Sequence, residues 1–464
     1  MMVALRFPSA PIMLGQVLMM GWSSFVLVAL LLSASSALLA APLTRADISL
    51  EGMRVTVLPL KQTVSIEPLP VLHYEFDGQL TLGQPGWQGD FLLPKTAWVF
   101  RALRPGSLVV TLADKPDARL AEGKDYLLDA DWGSVNAAPG SAFPPGVRLD
   151  FAYDYTESRI DLVELAPNGR IAVKQGTPDM SAPLLPAVTP GSTPLLSVYL
   201  AHNTQKLTPD NINLIDPSYR GVPPAFRSGR LQPVKAKLTA GAPVTIAFFG
   251  DSITAQEPGD FRDGKGSFVD RFVVYLRERY PKSGVVVTPK ETVLPPKPGR
   301  IVIVKAGVGG DDTRDGLARI DTDVLAHKPD LVVVMFGAND ENRTTDGSGR
   351  TNRNNVPPAE YEQNLRTIVT RIKSAGGEPL LMTTSMKNRG WEGTTGNLDQ
   401  YAAAARRVAT DENTCLVDNY AAWENLPRLG YDYLVFLDSC INHPNYLGHQ
   451  VFFEGLRAAF EETP

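Results

Sequence analysis

The sequence predicts a three-layer α/β domain in the C-terminal half of the chain, preceded by a β-rich, sandwich-like domain. From residue 243 onward, apolar runs such as 244–249, 301–304 and 331–336 alternate with stretches of helical spacing. Strands that are apolar throughout and separated by helices form parallel sheets covered on both faces. Across residues 47–202, short β-rich pieces alternate with Gly, Pro and Asp turns, which favours a sandwich or barrel.

The individual elements of the α/β half follow from its apolar periodicity. Two further strands are expected at 380–382 and 415–417. Helices are predicted at 267–280, 312–327, 359–374, 401–409 and 444–461. Ligands of open parallel sheets bind beyond the carboxyl ends of the strands, so the chemistry is expected in the loops that follow these strands.

The β-rich half is expected to end in a connector. Strand-like pieces lie at 54–58, 107–112 and 147–151, and none of this region sustains a helical period over four turns. Residues 203–242 contain five prolines and little periodicity, which is typical of a linker. The predicted domains are therefore a β-rich domain at 47–202 and an α/β domain at 243–464, joined by a linker at 203–242.

Length and charge narrow the classes of function. The chain has 464 residues, of which 44% are hydrophobic and 20% charged, enough for two or three globular domains. Its formal net charge is −5 and it has no long Lys/Arg run, so nucleic acid is not an expected partner.

Residues 1–41 read as a secretory signal peptide. No charged residue lies between Arg6 and Arg45, the most apolar run is 25–32, and small residues precede Pro42. The alternative is an uncleaved N-terminal anchor, because the uncharged stretch is long enough to span a bilayer. We expect a secreted, periplasmic or cell-surface protein, with membrane as a partner only if this segment is retained.

Three strand ends carry residues suited to catalysis. The first strand ends in Gly250-Asp251-Ser252, where a hydroxyl can project from the sheet edge; the alternative is a helix-capping or turn serine. The second is followed by a turn, 306–313, whose three glycines can turn backbone N–H groups toward an anion. The third leads to Asn339, whose amide can stabilise an oxyanion or merely close an Asx-turn.

The segment 438–449 supplies a candidate base. His443 precedes Pro444, which suits the first turn of a helix, and the chain has only five histidines. A single histidine is usually structural, but one on a loop ahead of a helix is a better base candidate than average. His443 and His449 lack accompanying residues at metal-ligand spacing, so no metal and no cofactor is expected.

Four blocks in this order, Gly-Asp-Ser, the Gly-rich turn, Gly-x-Asn-Asp and His-Pro, resemble the SGNH (GDSL-type) hydrolase superfamily over residues 243–464. The resemblance implies a three-layer, flavodoxin-like parallel sheet. It also implies that Ser252 is the nucleophile, that the N–H groups of Ser252 and Gly310 and the side chain of Asn339 hold the oxyanion, and that His443 is the general base. Asp251 is expected to be a structural partner of nearby loops.

One departure from the family concerns the acid that orients the base. The usual acid lies three residues before the histidine, and that position is Cys440. A base needs a partner at its second nitrogen to fix the tautomer, and Asp438, five residues before His443, is the predicted partner, with a backbone carbonyl as the alternative. Cys415 and Cys440 either form one disulfide or remain isolated thiols.

The predicted function is that of an exported serine esterase acting on acyl, foremost acetyl, esters. The β-rich domain and the habits of the family favour acetylated polysaccharide as substrate, and Trp391, Trp423 and Tyr431 are candidates for a sugar-binding cleft or for ordinary packing. A lipase or acyltransferase of the same fold is the alternative. From a different class, the rival is a non-catalytic carbohydrate-binding surface protein.

Overall fold

The computed structural model describes residues 42–79, 90–92, 99–141, 146–219, 221–255, 261–343 and 355–461. The predicted signal peptide, 1–41, lies outside the described residues. Among the residues that are described, no helix has both the length and the apolar character that crossing a bilayer requires.

The N-terminal region is built from antiparallel strands, as the sequence predicted. Its strands are β1 (Ile48–Glu51), β2 (Arg54–Val57), β3 (Gln62–Ser65), β4 (Leu72–Gln79), β5 (Asp90–Phe91), β6 (Val109–Leu112), β7 (Lys115–Arg119), β8 (Tyr126–Asp129), β9 (Ser134–Ala137), β10 (Arg148–Tyr155), β11 (Arg159–Leu165), β12 (Ile171–Lys174), β13 (Thr193–Leu200) and β14 (Ile212–Leu214). They form small sheets of three or four strands, in the orders β1-β2-β3, β4-β10-β6-β7, β12-β11-β13-β14 and β5-β9-β8.

The C-terminal region contains a six-stranded parallel sheet. Its strands are β15 (Val244–Gly250), β16 (Gly284–Pro289), β17 (Arg300–Gly307), β18 (Leu331–Met335), β19 (Glu378–Met382) and β20 (Cys415–Val417), in the order β16-β17-β15-β18-β19-β20. All five residues of β18 are buried, as expected for a strand covered on both faces. The predicted α/β class is confirmed.

Helices flank this sheet. They are α1 (Gln232–Thr239), α2 (Ser252–Ala255), α3 (Phe268–Arg279), α4 (Thr313–Asp323), α5 (Pro358–Ser374), α6 (Leu398–Asp411), α7 (Asn419–Glu424) and α8 (Tyr446–Glu461). Side-chain caps fix two of the starts. Ser267 accepts from the backbone of α3 and Asp312 from the backbone of α4, each in a capping box. α3 packs on α8, and α5 packs on both α4 and α6.

Two features differ from the sequence expectations. The edge strand β16 was not predicted; much of it is exposed, so it lacks the continuous apolar run by which the other strands were found. Residues 203–242, expected as a linker, carry β14, which extends the sheet of β13, and α1, whose Val234 and Leu238 are buried in the C-terminal core. The prolines at the start of these short elements interrupt the apolar spacing, so the sequence pattern did not reveal them.

The two regions pack directly against each other. Ile160 and Tyr199, from β11 and β13, belong to the same buried cluster as the strands of the parallel sheet. The Ser197 hydroxyl donates to the buried carbonyl of Gly430 at 2.6 Å. The β-rich region is therefore a packing partner of the α/β region.

Candidate active site

Ser252 and His443 meet at the carboxyl end of β15. Ser252 is the first residue of α2, and His443 lies in the loop before α8. The Ser252 Oγ lies 2.8 Å from Nε2 of His443, although 191 positions separate the two residues. This distance lets the imidazole accept the serine proton.

Glycines at the ends of two strands make room for the turn that carries Ser252. A Cβ on Gly250 would lie 2.3 Å from the carbonyl oxygen of Met335, and a Cβ on Gly307 would lie 2.2 Å from the backbone nitrogen of Ala255. Neither position accepts a side chain without moving backbone. The Ser252 turn is thus packed directly against the ends of β17 and β18.

The second and third blocks are joined by Asn339. Its Nδ2 donates to the carbonyl of Asp311 at 2.9 Å, and its Oδ1 accepts from Nδ2 of Asn342 at 3.3 Å. One Nδ2 hydrogen remains beyond the bond to Asp311, because a side-chain amide has two donors. Gly310, just before Asp311, is exposed and has a left-handed backbone with φ +79°.

Arg319 of α4 hydrogen-bonds to the ends of β15 and β17. Its guanidinium donates to the carbonyls of Gly250 at 2.8 Å and Ala306 at 2.7 Å, and to the Asp311 carboxylate at 2.6 Å. Sequence reasoning missed this residue. In the sequence, an arginine on a predicted amphipathic helix cannot be distinguished from a surface residue, because its contacts depend on where the helix packs.

Two buried carboxyl groups lie beneath these loops. Burial raises the pKa of both Asp251 and Asp340 to about 7. The charges of Asp312 and Asp251 raise the pKa of Asp340 further, whereas the charge of Lys387 lowers the pKa of Asp251. Asp251 accepts from the backbone of Ile253, and Asp340 accepts from the backbone and hydroxyl of Thr313. The Asp251 carboxylate thus holds the start of its own turn, and its expected role as a partner of nearby loops stays a prediction.

The surroundings of the His443 ring favour its neutral form. Burial lowers its pKa, and the positive charge of Lys387 lowers the pKa further. Within the described residues, the ring has one hydrogen-bond partner, Ser252. A base that must accept a proton from serine has to be neutral beforehand, so this environment suits that chemistry.

Asp438 lies in the same loop but contacts His443 through the backbone. Its amide donates to the carbonyl of His443 at 2.6 Å, and its carboxylate helps to raise the pKa of the Cys440 thiol, which burial raises to about 12. The role of Asp438 as acid partner stays a prediction.

Comparison with known proteins places the α/β region in a family. The family model of the GDSL-like lipase/acylhydrolase family matches residues 248–451. An acetylxylan esterase of Geobacillus stearothermophilus is 30% identical over 220 residues, which cover 46% of this chain and 91% of that protein. This chain belongs to the GDSL-like lipase/acylhydrolase family. It is a carboxylic ester hydrolase with the SGNH fold, which confirms the resemblance on which the sequence analysis relied.

Other relatives match shorter parts. The uncharacterized lipoprotein YqeF of Bacillus subtilis is 32% identical over 138 residues, covering 30% of this chain and 47% of that protein. Thioesterase 1/protease 1/lysophospholipase L1 of Escherichia coli is 36% identical over 80 residues, 17% of this chain and 33% of that protein. A solved acetylxylan esterase from Geobacillus stearothermophilus has 26% identity and a TM-score of 0.38, covering 48% of this chain and 97% of that one.

The cysteines of this GDSL-like hydrolase remain buried thiols. Cys415 lies in β20 and Cys440 in the loop before His443, and the structure joins neither into a disulfide. The Cys440 thiol hydrogen-bonds with the Tyr199 hydroxyl from the β-rich region. Of the two possibilities left open by the sequence, the structure has two thiols that are not joined in a disulfide.

The aromatic residues proposed for a cleft have different surroundings. Trp423 is fully buried and packs on Phe436 and Phe452, so it belongs to the core. Tyr431 is half-buried against Phe436. Trp391 is also half-buried, and its ring centroid lies 5.6 Å from Nζ of Lys387. Trp423 is therefore excluded as a cleft residue.

Proposed function

We propose that this protein is an exported serine esterase that removes acyl groups, acetyl foremost, from polysaccharide. The observation that carries the proposal is the 2.8 Å contact between Ser252 Oγ and His443 Nε2 at the carboxyl edge of the parallel sheet. Around it lie a glycine-rich loop and an oriented asparagine amide.

The proposed reaction is acyl transfer in two halves. His443 Nε2 takes the Ser252 proton while the serine oxygen attacks the ester carbonyl carbon, and the carbonyl oxygen becomes an oxyanion. The N–H groups of Ser252 and Gly310 and the free Nδ2 hydrogen of Asn339 are the proposed donors to that oxygen. The intermediate collapses, the alcohol leaves with the proton from His443, and water then cleaves the acyl-enzyme through the same base.

Asp438 is the proposed partner of the second ring nitrogen of His443. It is the acid nearest to His443 along the loop, and its backbone amide already bonds the His443 carbonyl. In the proposed mechanism its carboxylate accepts from Nδ1–H of His443, fixes the tautomer of the ring and stabilises the imidazolium that forms.

The substrate class is proposed from the relative and from the domain organisation. The relative that matches over most of its own length is named as an acetylxylan esterase. The β-rich region is present beside the hydrolase domain, as in enzymes that work on polymers. Export is proposed from the basic start, the apolar run and the small residues of 1–41, and one relative is named as a lipoprotein.

The deciding experiment measures acetate release from acetylated xylan and hydrolysis of p-nitrophenyl acetate. We expect Ser252→Ala to lower kcat by about 10⁴-fold or more, because the nucleophile is lost while binding is kept. Ser267→Ala is the matched control, because it makes the same substitution at the N-cap of α3. It is expected to lower stability by about 1 kcal/mol and to leave kcat unchanged.

Two results would count against the proposal. Equal esterase rates for the wild type and Ser252→Ala would exclude the serine mechanism. Hydrolysis of p-nitrophenyl acetate without acetate release from any acetylated polysaccharide would keep the esterase and exclude the polymer substrate.

A further inference from the structure

A buried ion pair lies behind the candidate oxyanion donor. Nζ of Lys387 and Oε2 of Glu341 are 2.9 Å apart, and their side chains are 2% and 0% exposed. The Glu341 carboxylate also accepts from the hydroxyls of Thr394 and Thr395 and from the backbone nitrogen of Asn397. An ion pair so deeply buried gains little net stability, so its presence calls for another explanation.

Lys387 is also linked to Asn339 through Asn342. Its Nζ donates to Oδ1 of Asn342 at 2.6 Å, and Nδ2 of Asn342 donates to Oδ1 of Asn339 at 3.3 Å. An ammonium group can only donate, so it fixes which end of the Asn342 amide faces it. Asn342 then presents its NH₂ group to Asn339, and Asn339 in turn must direct its own NH₂ group away, toward the carbonyl of Asp311.

We propose that Lys387 is a positioning residue that, through Asn342, fixes the amide of Asn339 with its NH₂ group facing the oxyanion. The inference rests on the proposed function, since it assigns a task to the Asn339 amide in ester hydrolysis. Without a donor-only group at this point, the Asn342 amide can rotate by half a turn and bring its oxygen toward Oδ1 of Asn339, so that the Asp311 carbonyl must hold the Asn339 NH₂ group against this repulsion. A half-turn of the Asn339 amide in response would present an oxygen to the developing negative charge. Such a rotation replaces attraction by repulsion.

The positive charge of Lys387 acts on other groups of the site as well as on the Asn342 amide. The charged or titratable groups that act on it are Glu341, Asp251 and Asp340, each of which favours its protonated form, whereas burial opposes it. It also lowers the pKa of His443. The half-buried Trp391 ring lies over Nζ.

The first test changes the hydrogen-bonding pattern of the chain Lys387–Asn342–Asn339, which we call the relay, without changing its shape. Asn342→Asp keeps an acceptor for Lys387 but cannot donate to Oδ1 of Asn339, so the Asn339 amide is expected to turn its NH₂ group toward residue 342. We expect kcat for p-nitrophenyl acetate to fall by about 10²-fold, close to the loss of an oxyanion donor, with KM little changed. Asn342→Ala leaves Asn339 unconstrained rather than reversed, so a smaller loss, roughly tenfold, is expected.

The second test removes the charge pair as a unit. Lys387→Met with Glu341→Gln leaves no unpaired buried charge, and we expect both a lower kcat and a higher pKa for the acid limb of the pH profile, which reports His443. The control is Arg159→Met with Asp161→Asn, which removes an equally buried pair from the β-rich region, 2.8 Å apart. It is expected to lower the melting temperature while kcat and the acid limb remain as in the wild type.

The outcomes separate this inference from the proposed function. If the wild type hydrolyses the ester and Ser252→Ala does not, but Asn342→Asp keeps the wild-type kcat, the relay is overturned and the esterase stands. An unshifted acid limb in the Lys387/Glu341 double variant overturns the electrostatic part. If the wild type hydrolyses no ester at all, the proposed function itself fails.

Discussion

At the scale of single residues, the partner of the second ring nitrogen of His443, Nδ1, determines how well the ring is oriented as a base. The described structure holds Nε2 against Ser252, and Asp438 is the proposed partner of Nδ1. If Asp438 orients His443, Asp438→Asn is expected to lower kcat by up to about 10⁴-fold, because the imidazole loses the partner that fixes its tautomer. The measurement is kcat at a pH above the acid limb.

Cys440→Ala provides the comparison for Asp438→Asn. It changes the residue at the position where the family carries its acid, but the thiol is buried and its pKa is raised to about 12, so it is not an acid near neutral pH. We expect it to lower kcat by at most a few-fold, through the lost bond with the Tyr199 hydroxyl, and so by far less than Asp438→Asn. An Asp438→Asn variant as active as Cys440→Ala would leave Ser252 and His443 as a dyad.

The residues of the site differ in how far the sequence reveals them. Ser252, Asn339 and His443 each follow a strand or precede a helix in a short block, so their convergence could be predicted from chain order. Lys387 and Arg319 could not be predicted in this way. The bond from Lys387 to Asn342 spans 45 positions and the bond from Arg319 to Gly250 spans 69, and contacts of this kind leave no local pattern.

At the scale of elements, the close approach of α2 to β17 controls where Ser252 lies. A methyl group at Gly307 would lie 2.2 Å from the backbone nitrogen of Ala255, so the turn must shift. We expect Gly307→Ala to lower kcat by about 10²-fold, since misplacing a catalytic group by about 1 Å has effects of this size. The melting temperature should fall as well.

Gly284→Ala is the matched control for this prediction. Gly284 begins the edge strand β16, and the nearest atom to its added methyl group would be 3.9 Å away. The same substitution there should leave both kcat and the melting temperature near the wild-type values. If Gly307→Ala behaved in the same way, the packing of α2 on β17 would not position the serine.

The elements also show where sequence patterns reach their limit. Strands β15, β17 and β18 are buried on both faces and were predicted within a few residues, because a continuous apolar run is a strong signal. The edge strand β16 has an exposed face and was missed. The short elements of 203–242 are fixed by tertiary contacts, which a periodicity argument cannot detect.

At the scale of the whole molecule, the β-rich region braces the loop of His443. The backbone nitrogen of Phe100 donates to the carbonyl of Ser439 at 3.1 Å, and the Tyr199 hydroxyl bonds the Cys440 thiol. Ser439 and Cys440 both have left-handed backbones, with φ of 56° and 59°, which non-glycine residues rarely adopt. Contacts from the neighbouring region hold this strained segment in place.

This bracing predicts that the two regions share one unfolding transition and that their contact affects catalysis. We expect Tyr199→Ala to destabilise the protein by about 3–5 kcal/mol and to lower kcat of the folded protein. Phe151→Ala removes an equally buried ring from a separate cluster of the β-rich region, so it should cost similar stability and leave kcat unchanged. Equal kcat in both variants would limit the β-rich region to a role in stability.

Buried titratable groups make opposite contributions to the pH dependence of the free energy of unfolding. Burial raises the pKa of Asp340 to about 7, so between about pH 4 and pH 7 the folded protein keeps a proton that the unfolded chain releases. The free energy of unfolding therefore decreases as pH rises through this window. His449, whose pKa burial lowers to about 3, has the opposite effect, since its contribution is lost as pH falls below about 6.5.

Asp340→Asn separates these contributions, because asparagine does not ionise. Relative to the wild type, the variant should be more stable at pH 8 than at pH 5, by a difference on the order of a few kcal/mol, since at pH 8 only the wild type holds a buried negative charge there. Urea unfolding at the two pH values measures this difference. Asp114→Asn, at an exposed turn, serves as control and should change stability equally at both. An equal change for Asp340→Asn would mean that its carboxyl group ionises in the folded protein as easily as in the unfolded chain.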